Sequence, residues 1–246
     1  MYFSERGDAM KNTILFDLDG TLLPMDFHAF MKVYFGSMGH TFKDTLDPRK
    51  MIEFINAATK VTVMTNDGRT NEEIFMTYFN TLIEEDIASY IPRWEAFYDE
   101  AFLNCKETTW QDDDMKNAVS ILKEKGYRLA IATNPLLPLK SNLHRIRWAG
   151  LEPSDFEYIS NFEQNKYCKP FLEFYQEVLN DINVLPENCY MVGNDATEDL
   201  VAGKLGIETY LITDCMLNHK NVEYHADHEG TYKDFLDFAN KLQVVK

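Results

Sequence analysis

Short apolar runs alternate with amphipathic helical patterns through the second half of the chain, and this alternation limits the fold most strongly. The apolar runs, which are typical of buried strands, cover residues 127–132, 156–160, 189–192 and 208–212. The helical patterns cover residues 115–125, 139–149, 171–179 and 200–205. Repeated strand-then-helix units favour a parallel sheet with helices on both faces, because parallel strands need a crossover connection. The chain is therefore predicted to be an α/β protein.

The first strand of this sheet is predicted near the N-terminus and is separated from the rest by a segment of different character. An apolar run at residues 13–16 ends at Asp17 and leads into a turn. Residues 26–110 then show aromatic side chains at helical spacing, which predicts a helical unit inserted into the α/β core. We expect a core made of residues 1–25 and 111–246, in which residues 1–11 are a polar tail.

Charge and composition exclude several classes of partner. The chain has 24 Lys and Arg against 40 Asp and Glu, a net charge of −16, which disfavours binding to nucleic acid or to an anionic membrane surface. The longest nearly apolar stretch, residues 129–139, contains two prolines and is too short to cross a bilayer. The four cysteines show no CxxC pair or zinc-ligand spacing. With no signal-peptide pattern either, a cytoplasmic location is predicted.

Polar side chains cluster where the predicted strands end. In an open parallel sheet these ends meet in one crevice, which is where ligands bind. The residues at these ends, or just before the following helix, are Asp17, Asp19, Thr133, Asn134, Lys169, Asp195 and Asp199. Several carboxylates near one point repel each other unless a cation is present. Oxygen ligands without His or Cys favour a hard ion, so Mg²⁺ is the predicted cofactor.

The order of these residues resembles the four motifs of the haloacid dehalogenase (HAD) superfamily. The motifs are matched by Asp17, Asp19 and Thr21, then by Thr133, by Lys169 before a proline, and by Asp195 with Asp199. The resemblance covers the chain from about Asn12 to Phe235. It implies a Rossmann-like core and a phosphatase-type member with a helical, C1-type cap at residues 26–110.

The resemblance also implies roles for the first two carboxylates. Asp17 would be the nucleophile that forms an aspartyl-phosphate, which divides hydrolysis into two easier transfers. Asp19 would protonate the leaving oxygen and then activate water as a general base. Dehalogenase members lack an acid at that position, so Asp19 favours phosphoryl transfer to or from oxygen.

The remaining motif residues would bind phosphate and metal. Thr133, Asn134 and Lys169 are expected to hold the phosphoryl group. Mg²⁺ is expected at Asp17, at the backbone carbonyl of Asp19 and at Asp195, with Asp199 as a further ligand or as an orienter of Lys169. The sequence leaves open whether Asn194 or Asp195 is the metal ligand, although the charge of Asp195 favours the latter.

The function that follows is a Mg²⁺-dependent phosphatase acting on a small phosphorylated metabolite, a phosphomonoester. Two alternatives stay open: a phosphomutase similar to β-phosphoglucomutase, and a catalytically silent module that binds Mg²⁺ and phosphate. A mutase would need cap cations for a second phosphate. The cap cations, among them Arg49, Lys50, Arg69 and Arg93, are not clustered and are expected to face solvent. The aromatic residues within 27–102 are expected to form the core of the helical unit. The oligomeric state is not readable from the sequence.

Overall fold

A computed structural model describes residues 11–84, 86–218 and 221–245. All but the last residue of the predicted polar tail lies outside these ranges. The described chain forms one six-stranded sheet in the order β3-β2-β1-β4-β5-β6, with every neighbouring pair parallel. The strands are β1 (Thr13–Phe16), β2 (Arg128–Ile131), β3 (Tyr158–Ile159), β4 (Cys189–Gly193), β5 (Glu208–Ile212) and β6 (His228–Gly230). The predicted α/β parallel sheet is therefore confirmed.

Both faces of the central strand β1 are covered. Ile14 and Phe16 belong to one hydrophobic cluster, whereas Leu15 between them belongs to a second cluster on the other face. This follows from the two-residue period of a strand, which sends successive side chains to opposite faces. Since both faces are buried, the strand reads as a continuous apolar run rather than an alternating one.

Within the described ranges, eight α-helices surround and extend the sheet. They are α1 (Phe27–Phe42), α2 (Pro48–Met64), α3 (Asn71–Asn80), α4 (Ile91–Asp99), α5 (Asp113–Glu124), α6 (Leu139–Trp148), α7 (Leu172–Asp181) and α8 (Tyr232–Lys241). Local sequence explains several helix starts: Thr70 and Glu73 form a reciprocal capping box at α3, and Asp112 accepts a hydrogen bond from the amide of Met115 at α5.

Five of these helices, α1 to α5, lie between β1 and β2 in the chain, and the first four, α1 to α4, are called the inserted helices below. Their core is rich in aromatic rings: Phe79, for example, packs edge-on against Trp94 with ring centroids 5.0 Å apart. The start of α3 returns to the sheet, where the buried Asn71 side-chain amide donates to the carbonyl of Pro135 at 3.1 Å. Its backbone amide donates to the carbonyl of Asn165 at 2.8 Å. The inserted helices are thereby tied to the loops at the carboxyl ends of β2 and β3.

The observed elements differ from the predictions in two places. The predicted helix at 200–205 is a 3₁₀ helix, Leu200–Leu205, which ends at Gly206 with a φ of +90°. The C-terminal β6 and α8 were not predicted. Within the described ranges, no helix has the length and apolar character that a membrane span requires.

Candidate active site

The loop that follows β1 holds the first two predicted catalytic carboxylates. Asp17 is buried, and its backbone amide continues the sheet by donating to the carbonyl of Val192 in β4 at 2.8 Å. Gly20 adopts a φ of +84°, and a Cβ there would lie 2.3 Å from the Asn194 amide nitrogen. This close approach and the positive φ together require glycine. The hydroxyl of Tyr232 in α8 donates to the Gly20 carbonyl at 2.8 Å and fixes the loop from the other side.

Lys169 joins two of the predicted carboxylates inside the protein. Its side chain is 1% exposed, and Nζ donates to Asp17 Oδ1 at 2.9 Å and to Asp199 Oδ1 at 2.6 Å. Burial alone would lower the pKa of Lys169, but the carboxylates of Asp17 and Asp199 outweigh it and hold that pKa well above its usual range. A buried, charged ammonium therefore lies beside Asp17, where it can neutralise an anion.

Asp199 is positioned as the partner of this lysine. While Oδ1 accepts from Lys169, Oδ2 accepts from the backbone amide of Asp195 at 2.8 Å. A Cβ at residue 193 would lie 2.2 Å from Asp199 Oδ2, so Gly193 makes room for this carboxylate. Both oxygens of Asp199 are therefore already occupied, and a metal ion would have to compete with these hydrogen bonds.

The second carboxylate, Asp19, pairs with a residue that the sequence analysis did not identify. Arg145, from α6, is 1% exposed and donates through Nη1 to Asp19 Oδ2, while Nη2 donates to Asn142 Oδ1. The guanidinium thus fixes one oxygen of Asp19 from inside the core. The sequence did contain an indication that Arg145 is buried. Arg145 lies beside Ile146, and both fall on the buried side of a helix that follows a predicted site strand.

The environment of Asp19 suits a proton donor. Burial raises the pKa of Asp19, Arg145 opposes this shift, and the neighbouring Asp17 adds to it, so that the pKa remains above its usual range. Asp19 Oδ1 is buried and has no hydrogen-bond partner within the described part of the chain. An unpaired buried oxygen of this kind is less costly when the carboxyl group is protonated.

Asn194 and Asp195, the two alternatives for the metal ligand, have different surroundings. Asn194 is 2% exposed, accepts from the Thr21 hydroxyl at 3.1 Å and donates to the Cys215 carbonyl at 2.6 Å. Its amide therefore fastens the β1 loop to the end of β4. Asp195 is partly exposed, and among the described residues only Oδ1 of its carboxylate accepts hydrogen bonds, from the amides of Thr197 and Glu198 at 2.6 and 2.9 Å.

The predicted phosphate-binding residues after β2 lie next to this cluster. Thr133 is buried, and its carbonyl accepts from the Ser160 hydroxyl at 2.7 Å. Asn134 donates through Nδ2 to Glu198 Oε2 at 3.0 Å. Glu198 is a further residue that the sequence analysis did not single out, and burial raises its pKa to about 7. All the predicted site residues except Lys169 line one cavity, and Lys169 is bonded to two of them.

Comparison with known families identifies the family of the chain. A sequence model of haloacid dehalogenase-like hydrolases matches residues 11–206, which is most of the chain and includes all four motifs. The chain belongs to this family. As a HAD-like hydrolase with phosphatase relatives, it is an enzyme that hydrolyses phosphoric esters.

Curated relatives of this HAD-like hydrolase cover between 78% and 95% of the chain. It is 29% identical over 242 residues to PpaX of Clostridium perfringens, covering 95% of this chain and 99% of that one. It is 26% identical over 199 residues to the pyrophosphatase PpaX of Anoxybacillus flavithermus, covering 78% and 79%. It is 27% identical over 233 residues to the glyceraldehyde 3-phosphate phosphatase of Pyrococcus furiosus, covering 92% and 87%.

Solved structures share the fold. The magnesium-bound crystal structure of YfnB from Bacillus subtilis superposes with a TM-score of 0.58 at 20% sequence identity, covering 94% of this chain and 100% of that one. At this identity the likeness supports the fold of the HAD-like hydrolase and leaves the choice of substrate open.

The oxygen atoms at the site fit a hard cation. Asp17 and Asp195 each have an oxygen, Oδ2, that takes no hydrogen bond from another described residue. In the same ranges, no three His, Cys, Asp or Glu side chains are grouped so as to hold a metal ion by themselves. Mg²⁺ does not need such a group, because it is commonly bound by one or two carboxylates together with water and substrate phosphate. Two carboxylates and the nearby Asp19 carbonyl match that pattern.

A cavity of about 620 Å³ opens from Asp17 and Asp19 toward the inserted helices and is called the aromatic cavity below. Its floor is formed by the carboxylates at the ends of β1 and β4, and its walls are largely apolar side chains of α1, α3 and α4. The volume is within the range of small-molecule sites, roughly 300–1,000 Å³. A phosphoryl group at Asp17 would therefore have its ester substituent inside this cavity.

Proposed function

We propose that this HAD-like hydrolase is a Mg²⁺-dependent phosphatase that hydrolyses a small phosphomonoester through a phosphorylated Asp17. The observation that carries the proposal is the buried contact of Asp17 with Lys169, next to a second carboxyl, Asp19, with a raised pKa. A nucleophile beside a fixed cation and a proton donor is the arrangement that two-step phosphoryl transfer needs.

In the first step the Asp17 carboxylate attacks phosphorus. The new bond joins an Asp17 oxygen to phosphorus, and the bond from phosphorus to the ester oxygen breaks. Asp19 gives its proton to the departing oxygen, so that the product leaves as a neutral alcohol. Lys169 and Thr133 hold the phosphoryl oxygens while the substrate is bound, and Asp199 keeps the Lys169 ammonium in place.

In the second step water hydrolyses the phosphorylated Asp17. Asp19 left the first step as a carboxylate, so it can take a proton from the attacking water. The phosphorus–Asp17 bond breaks, inorganic phosphate leaves, and Asp19 is protonated again. Arg145 keeps Asp19 directed at the reacting oxygen in both steps, because it bonds to the other carboxylate oxygen.

Mg²⁺ would be held by Asp17, Asp195 and the Asp19 carbonyl, and when bound it supplies positive charge that offsets repulsion between the nucleophile and the phosphate. We propose that Asp199 acts on Lys169 and Asn194 on the β1 loop, since their side-chain atoms already make those contacts.

Metal dependence tests this proposal directly. We expect phosphate release from 4-nitrophenyl phosphate to fall by at least about 10²-fold in EDTA, because several kcal/mol of charge stabilisation are lost. Excess Mg²⁺ should restore it. The measurement is the initial rate of phosphate release at fixed enzyme and substrate. Equal rates in Mg²⁺ and in EDTA would contradict the proposed dependence of hydrolysis on Mg²⁺.

The proton donor is tested by Asp19→Asn, which keeps an oxygen for Arg145. For an alkyl phosphate we expect kcat/KM to fall by about 10²–10⁴-fold, because the alcohol needs a proton to leave. For 4-nitrophenyl phosphate, whose leaving group departs as an anion, kcat/KM should change little while kcat falls and a burst of nitrophenol appears. An equal loss of kcat/KM with both esters would show that Asp19 is not the acid of the first step.

The inserted helices are proposed to act as the cap of the enzyme, from about residue 26 to 110. They form a wall of the cavity above Asp17 and are fastened to the sheet at the start of α3. In this position they would exclude bulk water from the reacting phosphate and select the ester substituent.

A further inference from the structure

One helix gives the aromatic cavity a continuous apolar wall. The residues of α1 that line it are Phe27, Phe30, Met31, Tyr34 and Phe35. Their spacing of three and four places them on a single face of the helix. Phe30 and Tyr34 also pack into the core of the inserted helices, which fixes the wall, whereas Met31 and Phe35 are only partly buried.

The opposite walls are also built from rings. Phe75 of α3 and Phe162 after β3 meet edge-on with centroids 5.6 Å apart, and both line the cavity. Trp94 and Tyr98 of α4 line it as well and are themselves buried. Rings held in this way by neighbouring rings form a preformed surface for a flat apolar group.

Charge in the cavity disfavours a second anion. No Lys or Arg of the described residues 26–84 and 86–110 lines it, although that segment contains several. From the sheet side, Lys140 lines it but is paired with Asp99 at 2.8 Å, and Arg145 is paired with Asp19. Glu72, Glu95 and Glu163 line the same walls. A second phosphate would thus meet carboxylates and rings, and it would have to compete with Asp99 for Lys140.

From these observations we infer that the preferred substrate is a phosphomonoester whose leaving group is a largely apolar, ring-bearing alcohol without a second phosphate. This inference rests on the proposed function and specifies its substrate class. It separates the enzyme from the pyrophosphatase PpaX, whose substrate by name carries a second phosphate in place of an organic group. It also argues against a phosphomutase, which needs a site for a second phosphate.

The test compares two alkyl esters with the same type of leaving oxygen, 2-phenylethyl phosphate and ethyl phosphate, together with pyrophosphate. Leaving-group acidity then contributes little to the comparison of the two esters. We expect kcat/KM for the phenylethyl ester to exceed that for the ethyl ester by roughly 10²-fold, since only the former buries a ring. Pyrophosphate should be no better than ethyl phosphate. 4-Nitrophenyl phosphate is measured beside them as a reference.

A variant that adds a cation to the wall should weaken the preference for the phenylethyl ester over pyrophosphate. Met31→Lys should lower kcat/KM for the phenylethyl ester by about 10-fold and raise it for pyrophosphate. Met64→Lys is the matched control, because Met64 is 69% exposed and does not line the cavity. Phe35→Ala is a second variant that adds no charge, and it should affect the phenylethyl ester alone. Thermal melting verifies that each variant is folded.

The outcomes separate this inference from the proposed function. Mg²⁺-dependent hydrolysis of 4-nitrophenyl phosphate with no preference for the phenylethyl ester, or with pyrophosphate as the better substrate, would overturn the substrate class and leave the phosphatase intact. Absence of hydrolysis of every compound by folded enzyme would overturn the proposed function itself. A preference that Met31→Lys and Phe35→Ala leave unchanged would show that the ring binds outside the aromatic cavity.

Discussion

Asp17→Asn is expected to abolish phosphate release, with a loss of about 10⁴-fold or more in kcat. The amide is a poor nucleophile, and Asp199, the other carboxylate bonded to Lys169, has both of its oxygens occupied by hydrogen bonds. The change is nearly isosteric, and the amide oxygen can still accept from Lys169 Nζ, so the variant should fold. The measurement is single-substrate kinetics with 4-nitrophenyl phosphate and Mg²⁺, in parallel with thermal melting.

The matched control for this variant is Asp181→Asn. Asp181 is an exposed aspartate at the end of α7, so the same chemical change is made away from the site. Its kinetics should match those of the wild type. Retention of more than about a tenth of wild-type activity by folded Asp17→Asn would contradict the role of Asp17 as nucleophile.

Lys169→Met is expected to have the second-largest effect, because it damages both the fold and the site. Asp17 and Asp199 would face each other in the interior without the ammonium that now lies between them. Removing one partner from a buried ionic contact costs about 3–5 kcal/mol, which urea denaturation would detect as a lower midpoint. Loss of the phosphate contact should reduce kcat/KM by about 10²–10³-fold.

The pH dependence of the stability of Lys169→Met distinguishes the loss of the buried ammonium from a packing defect. Burial already raises the pKa of Asp199, and Lys169 opposes that shift, so without the cation the folded-state pKa of Asp199 lies still further above the unfolded one. A carboxyl group shifted in this direction makes the folded state less stable as pH rises through that interval. The stability lost should therefore be smaller at pH 5 than at pH 8.

The control for this variant is Lys204→Met, at an exposed lysine of the 3₁₀ helix after β4. It should change the stability little at either pH. If Lys169→Met were no less stable than this control, the contacts of Lys169 with Asp17 and Asp199 would not stabilise the folded state.

The sheet and the position of the site were predictable because both depend on local pattern. Continuous apolar runs mark strands buried on both faces, and the carboxyl ends of parallel strands meet at one edge whatever the details of the loops. Asp17, Thr133 and Asp195 come to this edge for that reason.

The contacts within the site were less predictable. Arg145 reads as one of many charged residues on a helix, and only the packing of α6 against the β1 loop shows that it is buried beside Asp19. The roles of Asn194 and Asp199 depend on which oxygen faces which donor, a difference of a few ångströms that residue spacing does not determine.

The C-terminal elements were missed for a different reason. β6 has only three residues, too few to show a strand period. α8 did carry a signal, since Thr231 and Asp234 form a capping box and Phe235 and Ala239 have helical spacing. Predicting this helix would have added Tyr232, which bonds to the β1 loop, to the residues that support the site.

The most direct test of the account is chemical identification of the phosphorylated residue. Asp19→Asn enzyme is mixed with 4-nitrophenyl phosphate and Mg²⁺, quenched in acid within the burst, and analysed by peptide mass spectrometry. The account predicts a phosphoryl group on Asp17 that hydroxylamine removes and that accumulates because the second step lacks its base. Phosphate release without a modified Asp17, or a phosphoryl group on another residue, would contradict it.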